Sequence, residues 1–227
     1  MATSSPLIQP TKSRAIGNDL RTLLGWEKVK DDGPTLTAYA VDASIYRIPP
    51  QAVVLVESED DIATTIGYAR SRGIPLTPRA AGTNLTGSAI GSGIILDVSH
   101  LNRILEVNQE EQWARVQPGI VLAELNKQLS ARGLMFGPDP SSGDMCKLGG
   151  MVANNSSGPH TLRYGSVKDN VQSLRLCLTS SSWIEARSYA LTDPTLERLL
   201  TMVPALRDVL VLTQAHADLI AAKRPLV

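Results

Sequence analysis

Residues 78–87 read Pro78-Arg79-Ala80-Ala81-Gly82-Thr83-Asn84-Leu85-Thr86-Gly87, two glycines among small polar side chains directly after a stretch patterned as a strand. A loop of this composition turns its backbone N–H groups inward and forms a nest for an anion. Two phosphate-binding patterns are excluded. Ser88 stands where a P-loop has its lysine, and glycine-punctuated chain follows instead of a helix. Gly91-Ser92-Gly93 runs into Ile94-Ile95-Leu96 without a third glycine, which removes the dinucleotide fingerprint. Spacing alone leaves a second reading open, a tight turn whose glycines serve positive φ.

Upstream, Ala52-Val53-Val54-Leu55-Val56 is a short β-branched run and Ser58 with Asp61 makes a capping box, so residues 53–78 read strand, helix, strand. Ile62, Ile66 and Ala69 fall on one face of that helix, which Gly73 and Pro75 end. Downstream, residues 94–98, 104–107 and 113–117 are strands. A helix over 121–131 buries Leu122, Leu125 and Leu129 and stops at Gly133. Residues 137–165 hold a second glycine-rich stretch, Gly137-Pro138-Asp139-Pro140-Ser141-Ser142 and then Leu148-Gly149-Gly150-Met151-Val152-Ala153-Asn154-Asn155-Ser156-Ser157-Gly158. This reads as a long loop, and a long loop inside a compact domain is commonly functional. Residues 171–179 and 183–186 form a hairpin around Ser180-Ser181-Ser182. Asp193-Pro194 opens a helical region with Leu196, Leu199, Leu200 and Val203 on one stripe, and a second helix follows Pro204 to Lys223.

The 227 residues suit one or two domains of about 150 residues. Lys plus Arg and Asp plus Glu balance at 22 each, so no global basic field gathers nucleic acid or an anionic membrane. Cys146 and Cys177 form no CxxC and imply neither a disulfide framework nor a zinc knuckle. His100, His160 and His216 lack metal-ligand spacing. The N-terminus lacks the apolar stretch of a secretory signal, and charges break the apolar run at 203–222, so a soluble cytoplasmic protein without a transmembrane segment is expected.

The order of these features carries a family likeness. The strand and helix at 53–73, PRAAGTNLTG at 78–87, IILDVSHLNRI at 94–104, VQPG at 116–119, GPDPSS, and LGGMVANNSSGPHTLRYGSVKDNV at 148–171 resemble the FAD-binding domain of the vanillyl-alcohol oxidase and p-cresol methylhydroxylase (PCMH-type) flavoproteins. Within that group the chain is similar to bacterial D-2-hydroxy-acid dehydrogenases, of D-lactate and D-2-hydroxyglutarate types, including those fused to an iron-sulfur domain. The resemblance implies an α+β, two-lobed FAD-binding domain over 49–190, with lobes of about 50–118 and 119–190 and FAD between them. Residues 1–48 become a lead-in, and 191–227 a helical segment leading toward a cap domain that this chain lacks.

By the same resemblance, residues 78–87 wrap the FAD pyrophosphate, mostly through backbone N–H groups; Arg79 is a candidate pyrophosphate partner, the alternative being a solvated loop arginine. Pro138, Asp139, Pro140, Ser141 and Ser142, with Gly149, Gly150, Asn154, Ser157 and Gly158, line the flavin and ribityl chain, and Tyr164-Gly165 close that side. Gly82-Thr83-Asn84 contains no flavin-linking histidine, so noncovalent FAD is expected. The implied activity is oxidation of a D-2-hydroxy acid to the 2-oxo acid, with electrons passed to an unidentified acceptor. The alternative is an FAD-binding module without turnover. Catalytic residues are not assigned, no metal is expected, and an uncovered apolar face is expected to drive self-association.

Overall fold

The computed structural model describes residues 10–223, with side chains from residue 15 onward. The chain divides into two compact units, one of residues up to 171 with 177–183, the other of 172–176 with 184 onward.

The first unit is built on a four-stranded sheet of order β1-β2-β4-β3, made of Val29–Lys30 (β1), Ala52–Leu55 (β2), Leu76–Arg79 (β3) and Ile94–Asp97 (β4). β2 and β3 both run parallel to β4, with Val53 opposite Ile95 and Thr77 opposite Ile95 on the other side, and β1 joins β2 antiparallel. Continuous apolar runs are what strands buried on both faces require, and Ala52, Val53, Val54, Ile94, Ile95 and Leu96 are all buried. Pro78, which lacks an N–H, sits on the edge strand β3, where that loss is tolerated.

Helix α3 (Glu59–Arg72) follows α1 (Pro10–Leu24) and α2 (Gly33–Tyr39) in the chain. It starts at the reciprocal Ser58–Asp61 capping box and ends on left-handed Gly73, as the sequence predicts. Its buried face is rotated from the expected one: Asp61, Thr65, Tyr68 and Ala69 are buried, and Ile66 is only half-buried. Thr65 can lie inward because its hydroxyl donates to the Asp61 carbonyl at 2.7 Å, and the Lys28 ammonium meets the Asp61 carboxylate at 2.9 Å.

Residues 10–30 are more than a lead-in. Ile16 and Leu20 of α1 and Val29 of β1 are buried in the first apolar cluster, with Leu24 against it, and the spacing of Ile16, Leu20 and Leu24 is that of one helical face. A second cluster gathers Leu122, Leu125 and Leu129 of α4 (Leu122–Ser130) with Ile120, Cys146, Leu148, Met151 and Val167. The antiparallel pair β5 (Ile104–Asn108) and β6 (Trp113–Val116) packs on this second cluster through Ile104, Val107, Ala114 and Val116. By packing, therefore, the two cores part between Leu101 and Ile104, upstream of the expected 118/119 boundary.

The stretch 137–165 is also more structured than a loop. It holds α5 (Leu148–Ala153) and α6 (Thr161–Tyr164), followed by a 3-10 turn at Val167–Asn170. The glycine pair hides α5 because glycine weakens helical propensity, yet Leu148 and Met151, three apart, bury one face. The strands are not parallel throughout, and loop 78–87 opens no helix.

β7 (Ser173–Cys177) and β8 (Trp183–Arg187) form the expected hairpin. In its turn Ser181 adopts φ +64°, a left-handed conformation for a non-glycine residue, and its hydroxyl donates to the Ala63 carbonyl at 2.9 Å. In the second unit, Asp193 caps α7 (Pro194–Met202), and the region then continues as α8 (Pro204–Ala215) and α9 (Ala217–Lys223) with a break at His216. Of the expected stripe, Leu200 is buried and Leu196, Leu199 and Val203 are half-buried. The exposed apolar side chains of these helices are instead Met202 of α7, Leu206, Val209, Val211 and Leu212 of α8, and Leu219 and Ile220 of α9. Among the described residues, no helix is long and apolar enough to cross a membrane.

Candidate functional site

Loop 80–89 leaves β3 and is tied down from behind. The Asn84 amide oxygen accepts from the N–H groups of Thr86 (3.1 Å) and Ser88 (2.9 Å), and its amide nitrogen donates to Asp42 at 3.0 Å. The Asp42 carboxylate also accepts from the N–H of Ser44 (2.9 Å) and of Ala89 (3.4 Å). Burial pushes this carboxyl up, but hydrogen bonds from Ser44, Asn84 and Ala89 outweigh it and hold the group below the usual carboxylate range.

Arg79 does not present a free cation to the loop. Its guanidinium donates to the carbonyls of Val41 (2.8 Å) and Ala89 (3.3 Å) and lies over the Tyr39 ring, 5.1 Å from the centroid. Gly82 has φ +70°, and a Cβ there would stand 2.7 Å from the Arg79 guanidinium, so this glycine serves both a dihedral and a contact. Gly87 has φ +77° and would meet the Tyr46 ring at 2.9 Å.

With the rear of the loop so engaged, the N–H groups of Ala80, Ala81, Gly82, Thr83, Asn84 and Leu85 have no hydrogen-bond acceptor among the described residues. Ala80 to Asn84 are half-buried. A run of successive backbone N–H groups free of protein acceptors in a glycine-containing turn is the kind of feature from which anion-binding nests are made.

The second glycine segment meets the first at this surface. Gly149 packs on Pro118, its N–H donating to the Pro118 carbonyl at 2.8 Å, and a Cβ on it would fall 2.7 Å from Pro118. Gly150 comes next to Ala80, the nearest group to its would-be Cβ, at 3.6 Å. Polar contacts follow the same path. The Ser99 hydroxyl lies 3.4 Å from the Ala80 carbonyl and accepts from the Lys147 ammonium. Buried Asp97 receives the Ser99 N–H at 2.7 Å and the Tyr39 hydroxyl at 2.6 Å. Burial and the Asp97 carboxylate push the Tyr39 phenol above its ordinary range, so it is a neutral donor.

Residues 137–142 meet 158–165 through close contacts. A Cβ at Gly137 would stand 2.7 Å from Tyr164, and one at Gly158 would stand 2.1 Å from the Asp139 carbonyl oxygen. His160 Nδ1 pairs with the Asp139 carboxylate, which also accepts the His160 N–H at 3.3 Å. The hydrogen bond from His160 holds the Asp139 carboxyl below its usual range. Tyr164 meets the His160 ring edge-on, with centroids 6.3 Å apart, and the Arg163 guanidinium lies over it at 5.3 Å. Pro138 is buried, Pro140 accepts from the Gly143 N–H at 2.9 Å, and the Ser142 carbonyl caps the turn at Met145 and Cys146. Gly165 has φ +72° beside Asp169. Ser141, Asn154 and Ser157 are exposed.

Sequence reasoning missed Tyr39, Asp42, Ser99 and Lys147. Only Lys147, next to Leu148-Gly149-Gly150, carried a local signal. A surface depression lined by Asn18, Arg21, Asp31, Asp32 and Gly33 shares no residue with these segments, and Arg21 there is already paired with Asp31.

The family model of an FAD binding domain matches residues 50–187. The chain is 38% identical over 175 residues to a D-2-hydroxyglutarate dehydrogenase of Pseudomonas putida, covering 75% of this chain and 17% of that protein. It is 35% identical over 234 residues to one of Pantoea ananatis, covering 95% and 23%. A glycolate oxidase subunit of Bacillus subtilis is 31% identical over 175 residues, covering 76% and 37%. The chain thus spans a minor part of the length of these curated relatives. Among solved structures, an alkyldihydroxyacetonephosphate synthase superposes with TM-score 0.69 at 25% identity, over 84% of this chain and 36% of that one. p-Cresol methylhydroxylase shares the fold, with TM-score 0.66 at 18% identity over 79% and 36%.

The residues present fit such a cofactor: a dinucleotide's pyrophosphate is an anion in need of donors, and the unpaired amides of 80–85, next to Gly150, are donors that could meet it. The chain belongs to the FAD binding domain family, with the fold seen in p-cresol methylhydroxylase, and its cofactor is FAD.

Proposed function

We propose that this chain is the FAD-holding part of an oxidoreductase that oxidises a D-2-hydroxy acid, of the D-2-hydroxyglutarate or D-lactate class, to the 2-oxo acid, with FAD bound noncovalently. One observation carries the reading: the donor run at 80–85 closes against Gly150 in a chain whose similar curated proteins include D-2-hydroxyglutarate dehydrogenases. FAD supplies the hydride-accepting chemistry when bound, and the protein contributes position and electrostatics.

The chain's own residues do the holding. Amides of 80–85 take the pyrophosphate oxygens, and Asn84 and Asp42 keep those amides turned outward from the rear of the loop. Gly150 leaves room for the cofactor beside Ala80. Asp139, His160 and Tyr164 fix the stretch that follows the flavin and ribityl chain. Two free cysteines, Cys146 buried and Cys177 half-buried, are in keeping with a cytoplasmic protein.

The test has two stages. The purified chain should carry a yellow flavin chromophore released unchanged by acid or heat. The intact protein should then reduce an artificial dye with D-2-hydroxyglutarate or D-lactate, and not with the L-enantiomers. A colourless protein that takes up no FAD would overturn the reading at its base. Flavin bound with no turnover of either acid would leave the chain as a binding module and remove the substrate assignment.

A further inference from the structure

Lys147, a half-buried residue, brings its ammonium beside the donor run with no carboxylate in contact among the described residues. Its one hydrogen-bond partner among the described residues is the neutral hydroxyl of Ser99, and no carboxylate lies within 4.0 Å. Arg21 pairs with Asp31, Lys28 with Asp61, and Arg79 donates to two carbonyls and lies over Tyr39, whereas half-buried Lys30, like Lys147, has no ion-pair partner among the described residues. A cation taken partly out of water without a counter-charge is unfavourable, and an anionic ligand reverses that.

Position says which anion. Ser99 touches both the Lys147 ammonium and the carbonyl of Ala80, the residue that opens the run of unpaired amides. Two positions after Lys147 the backbone packs on Pro118, and at the third it reaches Ala80. The ammonium therefore sits one hydroxyl away from the peptide at which the two glycine segments meet. We propose that Lys147 is the charged contact to the FAD pyrophosphate, a place for which Arg79 is one candidate in the sequence. The proposal rests on the FAD assignment and deepens it. Lysine suits this place as a compact charge able to serve oxygens that the fixed backbone amides leave unpaired.

The experiment compares the full chain, freed of flavin, as wild type, Lys147→Met and Lys147→Arg, measuring dissociation constants for FAD, ADP and riboflavin across a salt series. ADP carries the pyrophosphate without the isoalloxazine, and riboflavin the reverse. Lys147→Met should weaken FAD and ADP by the same factor, roughly ten- to hundredfold, and leave riboflavin unchanged. Lys147→Arg should restore most of the loss, and the salt dependence of ADP binding should flatten in the methionine variant.

Unchanged FAD and ADP affinity in a less stable Lys147→Met protein would make Lys147 a tie to Ser99 and overturn the proposal. A loss for FAD with none for ADP would place the charge at the isoalloxazine and overturn it equally. If the methionine variant does not fold, the wild-type protein decides alone: ADP binding insensitive to salt excludes an exposed cation at the pyrophosphate. A wild-type chain that binds neither FAD nor ADP would overturn the FAD assignment itself, an outcome distinct from all of these.

Discussion

Loop 80–89 and the stretch 137–165 are both rich in glycine and small polar residues, yet most of their glycines serve different physical needs. In the first, Gly82 and Gly87 take φ +70° and +77°, and side chains from the preceding segment, Asp42 above all, fix the turn. In the second, Gly137, Gly149 and Gly158 have ordinary φ but no room for a Cβ, because Tyr164, Pro118 and the Asp139 backbone press against them. Composition announces a glycine-rich loop in both cases. Dihedrals and contacts show that Gly82, Gly87 and, in the second stretch, Gly165 answer a conformational requirement, whereas Gly137, Gly149 and Gly158 answer a packing requirement alone.

The sharpest separation comes from Gly158→Ala. The new Cβ would meet a backbone oxygen at 2.1 Å, and backbone cannot swing aside as a flexible side chain does. Destabilisation of about 2–3 kcal/mol is expected from chemical denaturation. A loss under half that size would mean that the contact relaxes, and the contrast between the two regions would blur.

A smaller effect is expected for Asp42→Ala, which strips the first loop of its anchor and leaves the N–H groups of Ser44 and Ala89 to water. The expected cost is about 1–2 kcal/mol, with weaker FAD binding. The pH dependence has a definite sign. The folded pKa of Asp42 is below its unfolded value, so its contribution is complete above about pH 4 and is lost as pH falls through the folded pKa. Asp42→Asn should therefore flatten part of the acid limb of a stability profile. An unchanged acid limb would show that Asp42 keeps its proton equilibrium on folding, contrary to its three hydrogen bonds.

Local signals were legible in the sequence, and long-range ones were not. Ser58 and Asp61 announce the start of α3 because both halves of a capping box lie within one turn. The β-branched runs announce β2 and β4 for a similar reason. Asp42 gives no such sign: its partners Asn84 and Ala89 lie more than forty residues away, across a crossover of the sheet. Ser99 and Lys147 are separated in the same way. Arg79 was placed beside the right loop, but its guanidinium turns toward Tyr39 and two carbonyls, a choice that depends on residues 39–41 being there.

The smallest stability change should come from Gly150→Ala, and it is the most informative. Gly82 cannot separate a cofactor role from a structural one, because any side chain there strikes the Arg79 guanidinium and distorts positive φ. Gly150 is free of both problems. Its φ is ordinary, its would-be Cβ finds only Ala80 at 3.6 Å, and it lies inside α5, where alanine is favoured over glycine by about 0.5–1 kcal/mol. The apoprotein should melt at the same temperature as wild type or slightly higher. If the cofactor passes beside Gly150, the added methyl must nevertheless weaken FAD binding, seen as lower flavin occupancy and a smaller thermal shift on adding FAD. Full occupancy with an unchanged thermal shift would take Gly150 out of the site and leave the donor run of 80–85 to hold the cofactor without it.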